Sequence, residues 1–219
     1  MSNPLHQSVP ILEAYELGPF ATNCYLVRTP DAPGCWIVDP GLEPEPVISR
    51  VRELGLQPRA VVLTHAHVDH IAGVDSVLRA FPGTPVWLHE AEREWTSDPC
   101  LNLSILTGLE ITCHGPDRLL RDGDTLSLEG LEWAVFHTPG HSPGGLTLYH
   151  APSRTAIVGD ALFAGSIGRT DFPGSDFATL ERSIRTRLYT LPDDTTIYPG
   201  HGPTSTIGRE KRSNPYVRP

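Results

Sequence analysis

Ala60-Val61-Val62-Leu63-Thr64-His65-Ala66-His67-Val68-Asp69-His70 is the stretch on which the fold turns: a continuous apolar run that breaks into three histidines and an aspartate. An apolar run of this length bounded by turn residues reads as a strand buried on both faces. In extended chain, residues i and i+2 point the same way, so His65 and His67 can face one ion together. Asp69 and His70 fall where the chain turns into an apolar-periodic helix, expected over Ile71 to Phe81, and can face a neighbouring position. Neutral imidazoles and a carboxylate are donors that zinc, iron and manganese accept. A pair of ions needs more ligands than one loop supplies.

Working outward, three further candidates sit in Gly/Pro-rich turns at the ends of expected strands: His141 in Thr138-Pro139-Gly140-His141, Asp160 after Gly159, and His201 in Tyr198-Pro199-Gly200-His201-Gly202. Strand ends hold side chains rigidly, and small neighbours let a ligand approach closely. Taken alone, each could be an ordinary turn histidine or a capping carboxylate; beside the His65 to His70 cluster they complete a ligand set.

The rest of the chain supplies a frame for these loops. Leu12 to Leu17, Cys24 to Thr29 and Cys35 to Asp39 read as an opening β-meander, followed by a helix over Pro44 to Leu54. Val86 to His89 reads as a strand, Glu90 to Trp95 as a short helix and Ser97 to Gly108 as loop. Asp124 to Leu128, Leu131 to His137, Leu146 to Tyr149 and Thr155 to Gly159 repeat the meander style. A helix capped by Ser175 is expected over Asp176 to Leu191, with Phe177, Leu180, Ile184, Leu188 and Leu191 on one face, then a strand over Thr196 to Tyr198. The halves share an element order without repeated sequence. The expectation is one α/β domain over 1–219, two sheets face to face with helices outside.

Composition sets outer bounds. The chain has 219 residues, 39% hydrophobic and 20% charged, enough to bury its own core. A formal charge of −9 speaks against a nucleic-acid partner. Met1 to Pro10 carries no secretory pattern and no run approaches a membrane span, so a cytoplasmic protein without a membrane partner is expected. Cys24, Cys35, Cys100 and Cys113 form no C-x-x-C pair and read as buried thiols. His6, His89, His114, His137 and His150 lack partner spacing and read as surface or turn residues, His137 being near enough to His141 to support it.

With the cluster and the three later ligands in place, the chain resembles the metallo-β-lactamase superfamily over nearly its whole length. The resemblance implies an αββα sandwich of two mixed sheets, with two divalent ions, zinc first and iron or manganese as substitutes. It implies that His65, His67 and His141 hold one ion, Asp69, His70 and His201 the other, and that Asp160 bridges them. Members that hydrolyse β-lactams typically lack that bridging carboxylate. Gly159-Asp160-Ala161-Leu162-Phe163 and Gly168-Arg169-Thr170-Asp171-Phe172 are similar instead to elements of glyoxalase II-like thioesterases, and the tail around Asn214-Pro215 to their compact bacterial subgroup.

The implied reaction is attack of a metal-activated water on a thioester of a small-molecule substrate, glutathione-derived in the nearest family case, with Asp69 as the catalytic residue orienting the water. Arg169 is the candidate contact for an anionic substrate group, or an ion-pair partner of Asp171 or Asp176. Phe163 and Phe172 read as core or pocket wall. The short tail after His201 leaves no room for the helical domain of full-length glyoxalase II, which places turnover of its substrate in question. Two rivals stand beside the thioesterase. One is a mononuclear-iron persulfide dioxygenase, which shares the Gly-Arg-Thr-Asp-Phe run but not glycine on both sides of His201. The other is a metal-binding or redox module without turnover.

Overall fold

A computed structural model describes residues 9–219, and His6 lies outside them. In chain order the elements are β1 (Ile11–Leu17), β2 (Thr22–Arg28), β3 (Gly34–Val38), α1 (Glu45–Glu53), β4 (Gln57–Val62), α2 (Val68–Ile71), α3 (Val74–Ala80), β5 (Val86–His89), β6 (Arg118–Leu120), β7 (Thr125–Leu128), β8 (Leu131–His137), β9 (Leu146–His150), β10 (Thr155–Gly159), β11 (Leu162–Phe163), β12 (Ser166–Ile167), α4 (Phe177–Ser183), β13 (Thr196–Pro199), β14 (Ser205–Thr206) and α5 (Ile207–Ser213).

The strands form two six-stranded mixed sheets, ordered β1-β2-β3-β4-β5-β6 and β14-β13-β10-β9-β8-β7, with β11 and β12 as a separate hairpin. The first sheet opens as an antiparallel meander and turns parallel from β3 onward, where helices cross between strands. Both faces of the central strands are buried, and alternation sorts their side chains into different cores. In β2 and β3, Cys24, Leu26, Cys35 and Ile37 pack under Val47, Val51, Ile71, Val74 and Val77 of the first helical layer. Tyr25, Val27, Trp36 and Val38, one residue out of step, meet Leu126, Trp133, Val135 and Leu148 of the second sheet. On the far side of that sheet Ala156, Val158 and Ile197 pack against Leu180, Ile184, Leu188 and Ile207. Helices, sheet, sheet, helices is therefore the layer order, the four-layer sandwich.

Several expectations need correction. The helix expected over Ile71 to Phe81 starts earlier, at Val68, and breaks into α2 and α3 around Ala72 and Gly73. Gly73 N donates to Pro40 O at 2.8 Å, and a Cβ there would sit 2.2 Å from Gly41 O, so the backbones meet where a side chain has no room. Ser175 is not the cap of α4. Asp176 is, accepting from Thr179 N at 2.7 Å, while Ser175 Oγ donates to His141 O. Phe177, expected on the apolar face, is exposed, and the helix ends in a π-helical turn over Ile184–Leu188. Glu90 to Trp95 is two 3-10 turns, and Ser97 to Gly108 contains another at Ser104–Thr107. The strands β6, β11, β12 and β14 and the helix α5 were not anticipated. Cys24 and Cys35 are buried and Cys113 partly so, but Cys100 is exposed; all four are free thiols. Among the described residues no helix is long and apolar enough to cross a membrane.

Candidate metal centre

The five loops that leave the C-terminal ends of β3, β4, β8, β10 and β13 converge at one end of the sandwich. Each carries part of the site: Asp39; His65, His67, Asp69 and His70; His141; Asp160; His201. The two sheets are tied together here by backbone hydrogen bonds, Leu146 N to Thr64 O at 2.8 Å and Asn23 N to Gly200 O at 2.7 Å. Asn23 Nδ2 donates to Pro199 O and Gly202 O, and Tyr25 Oη to Pro199 O, so β2 of one sheet clamps the His201 loop of the other.

All seven ligands proposed from sequence come together. Donor atoms of His65, His67 and His141 lie within 4.8 Å of one another, as do those of Asp69, His70 and His201 and those of His65, His70 and Asp160. Asp160 sits between the sets: Oδ1 is 3.5 Å from His70 Nε2, and Oδ2 is 3.5 Å from both His141 Nε2 and His201 Nε2. Gly200 makes the closeness possible, because a Cβ there would lie 2.1 Å from Asp160 Oδ1 and 2.7 Å from His70 Cε1.

The residues fit a pair of cations on their own chemistry. His65 Nε2, His70 Nε2 and Asp160 Oδ1 are buried without a hydrogen-bond partner, which is costly unless something else meets them. His67 Nδ1 and His141 Nε2 face each other at 2.9 Å, both aimed at the same point. Meanwhile other ring nitrogens are engaged from behind: His70 Nδ1 by Asp39 Oδ2 at 3.0 Å, His141 Nδ1 by Arg169 O at 2.8 Å and His201 Nδ1 by Ala21 O at 3.3 Å. That is how metal-binding imidazoles are oriented, with the free nitrogen presented to the ion.

The electrostatics agree. Burial, reinforced by neighbouring imidazoles, holds His65 well below the ordinary histidine range and His67 down to about 3, so both stay neutral donors. Burial opposes charge on His70 too, yet Asp69, Asp160 and Asp39 around it outweigh that and push it well up. Burial would likewise raise Asp69 and Asp160, and His70 turns both downward. Three carboxylates gathered around His70 favour positive charge at this position.

Three supports escaped sequence reasoning. Asp39 is buried with φ of +51° and accepts from Thr64 N at 2.7 Å, Thr64 Oγ1 at 2.6 Å and His70. Thr22 Oγ1 donates to Asp69 Oδ2 at 3.2 Å. Glu92, fully buried, accepts from Ala66 N through Oε2 and from Gly144 N through Oε1, each at 2.6 Å, and so joins the His65–His67 loop to the His141 loop. The only hint for Asp39 was an acidic residue ending an apolar strand; for Glu92 there was none.

The remaining expectations sort cleanly. His89 and His150 are buried but do serve turns, His89 accepting from Ala91 N and His150 facing Ser153. His137 stacks on His89 and donates to Pro143 O beside the His141 loop; His114 is exposed. A cleft of about 510 Å³ opens onto the metal centre. Phe163 and Phe172 are on its wall, packed edge-on against His201 and His67. Arg169 lines it too, held by Asp171 at 2.8 Å and 2.9 Å and stacked over Phe172; Asp176 is not its partner.

The sequence pattern of the Metallo-beta-lactamase superfamily matches residues 17–201. The chain is 38% identical to the hydroxyacylglutathione hydrolase GloC of Haemophilus influenzae, over 94% of this chain and 97% of that protein. Among solved structures it is similar to BLEG-1 B3 metallo-beta-lactamase, at 42% identity and TM-score 0.90 over 94% of this chain and 99% of the other. It is also similar to TTHA1623 in a di-iron-bound form, at 38% identity and TM-score 0.84 over 94% and 100%.

Proposed function

Because the chain belongs to the metallo-beta-lactamase superfamily as one of its metal-dependent hydrolases, we propose that its reaction is hydrolysis of a thioester, as in hydroxyacylglutathione hydrolases. The observation that carries this reading is Asp160, a buried carboxylate within 3.5 Å of His70, His141 and His201, at the position the thioesterases use to bridge two ions. His65, His67 and His141 would hold one ion and Asp69, His70 and His201 the second, with Asp160 placed to serve both. Zinc is the first candidate, with iron supported by the di-iron form of TTHA1623 and manganese accepted by the same donors.

Bound ions supply a nucleophile from water near neutral pH and Lewis acidity toward a carbonyl. The chain's own residues then do the positioning. Asp69 Oδ2, steadied by Thr22 Oγ1, faces the cleft. Held ionised, it accepts a hydrogen bond from the attacking water and orients it rather than acting as a strong base. Phe163 and Phe172 screen the centre from bulk water, which strengthens every charge interaction inside. A thiolate leaves without needing a protein acid, and among the described residues the cleft lining holds no Lys, Tyr or Cys to supply one.

The test is a substrate panel with metal-loaded protein: thioesters, lactones, a β-lactam, and glutathione persulfide with oxygen uptake recorded. Thioester turnover without oxygen use is expected. Silence on thioesters with β-lactam cleavage would favour the second reading, for which the similarity to BLEG-1 is the ground. Oxygen consumption would favour a dioxygenase, and silence throughout a binding module.

A further inference from the structure

The cleft wall beyond the ligands is apolar: Phe20, Val68, Leu103, Leu106, Phe163 and Phe172. Leu106 is strongly solvent-facing at 68% exposure and Phe20 partly so at 38%, and the adjoining Leu101 and Ile105 are exposed as well. A run of exposed leucine and isoleucine beside a catalytic cleft is costly to keep in water and marks a binding surface. The segment is also built rather than loose. Buried Asn102 donates to Trp95 O at 3.0 Å and Ile111 O at 2.9 Å, and its carbonyl accepts from Val68 N at 2.9 Å. Leu103 is held at φ of +66°, in the left-handed region that leucine rarely adopts. The 3-10 turn that follows this left-handed residue places Leu106 and Thr107 on the cleft wall.

The charged side of the ledger is short. Among the described lining residues Arg169 is the one Lys or Arg, and its guanidinium lies against Asp171 and the face of Phe172. A glutathione thioester carries two carboxylates, and beyond the metal ligands this wall offers them a single exposed guanidinium that Asp171 also engages.

Resting on the thioesterase reading above, we propose that this cleft selects its thioester by an apolar substituent, aliphatic or aromatic, lodged between Leu103, Leu106, Phe20 and the two cleft phenylalanines, and not by the charged ends of glutathione. A volume of about 510 Å³ accommodates such a group beside the reacting carbonyl.

The experiment uses zinc-loaded full chain and N-acetylcysteamine thioesters with acetyl, butyryl, hexanoyl and benzoyl groups. S-lactoylglutathione is compared with the lactoyl thioester of N-acetylcysteamine, and a second thiol series of rising alkyl length tests the other arm. kcat/KM rises about fourfold per buried methylene in at least one arm, the increment that transfer of one CH₂ sets. Leu106→Asp, an exposed change compatible with folding, flattens that gradient; Leu109→Asp, on the same segment but outside the lining, keeps it. Thioesters turned over with flat series in both arms, or a strong preference for the glutathione ester, overturns the inference and leaves the thioesterase reading standing. Absence of all thioester turnover overturns that reading; binding of butanoate, hexanoate and octanoate by calorimetry then decides the apolar cleft on its own. Affinity rising with chain length, and lost in Leu106→Asp, upholds it; uniform affinity refutes it.

Discussion

Glu92 gives the sharpest way to perturb the centre without touching a ligand. Its carboxylate accepts two backbone hydrogen bonds at 2.6 Å, one from each ligand loop, in a fully buried setting. Glu92→Ala orphans both N–H groups, at about 1–3 kcal/mol each. Glu92→Gln keeps one acceptor and turns its amide N–H₂ against the other donor, so it should lose about half as much. For a chain of this size, each kcal/mol lowers Tm by roughly 2–4 °C. Slack in both loops should further weaken metal binding by about 10- to 100-fold, the usual cost of removing an outer support. Burial raises the Glu92 pKa above its ordinary 4.5. The folded state therefore holds that proton more tightly than the unfolded one. The stability this group contributes is complete below about 4.5 and is lost as pH rises through the raised folded value. Urea melts in a pH series should show wild type losing stability relative to Glu92→Gln over that window. If Glu92→Gln melts, binds zinc and responds to pH as wild type does, the bridging role is wrong.

Other substitutions probe separate links. Gly200→Ala should abolish metal binding, because its Cβ would fall 2.1 Å from Asp160 Oδ1; normal zinc content would show that the loop can yield. Asp39→Asn removes the charge behind His70 and should lower zinc affinity by about 10- to 100-fold in a competition titration; unchanged affinity would reduce Asp39 to a strand-end brace. Asp176→Ala removes the α4 cap and should lower the thermal unfolding midpoint while sparing zinc content; loss of zinc would mean the cap also sets the His141 loop.

What sequence could and could not foresee follows from the range of the interactions. The ligands were legible because imidazole and carboxylate donors clustered beside an apolar strand have few other uses, and Asp160 and His201 because small residues flank them. Strands whose two faces both enter cores, such as β2, β3 and β10, announced themselves as unbroken apolar runs. The split between α2 and α3 did not, since it comes from Gly73 meeting Pro40 and Gly41 across the fold while local periodicity continues. Short edge strands such as β6 and β14 carry too few residues to show a period. Glu92 was invisible for the same reason as Gly73: its partners, Ala66 and Gly144, are brought to it only by the meeting of the two sheets.

The central claim is that a two-ion centre, held by His65, His67, Asp69, His70, His141, Asp160 and His201, drives hydrolysis. Chelator-stripped protein titrated with zinc, while thioester hydrolysis is followed, tests it directly. Activity should be absent at the start and climb to a plateau at two ions per chain, with Asp160→Ala failing to reach it. Hydrolysis that survives stripping, or a plateau at one ion, would contradict the account.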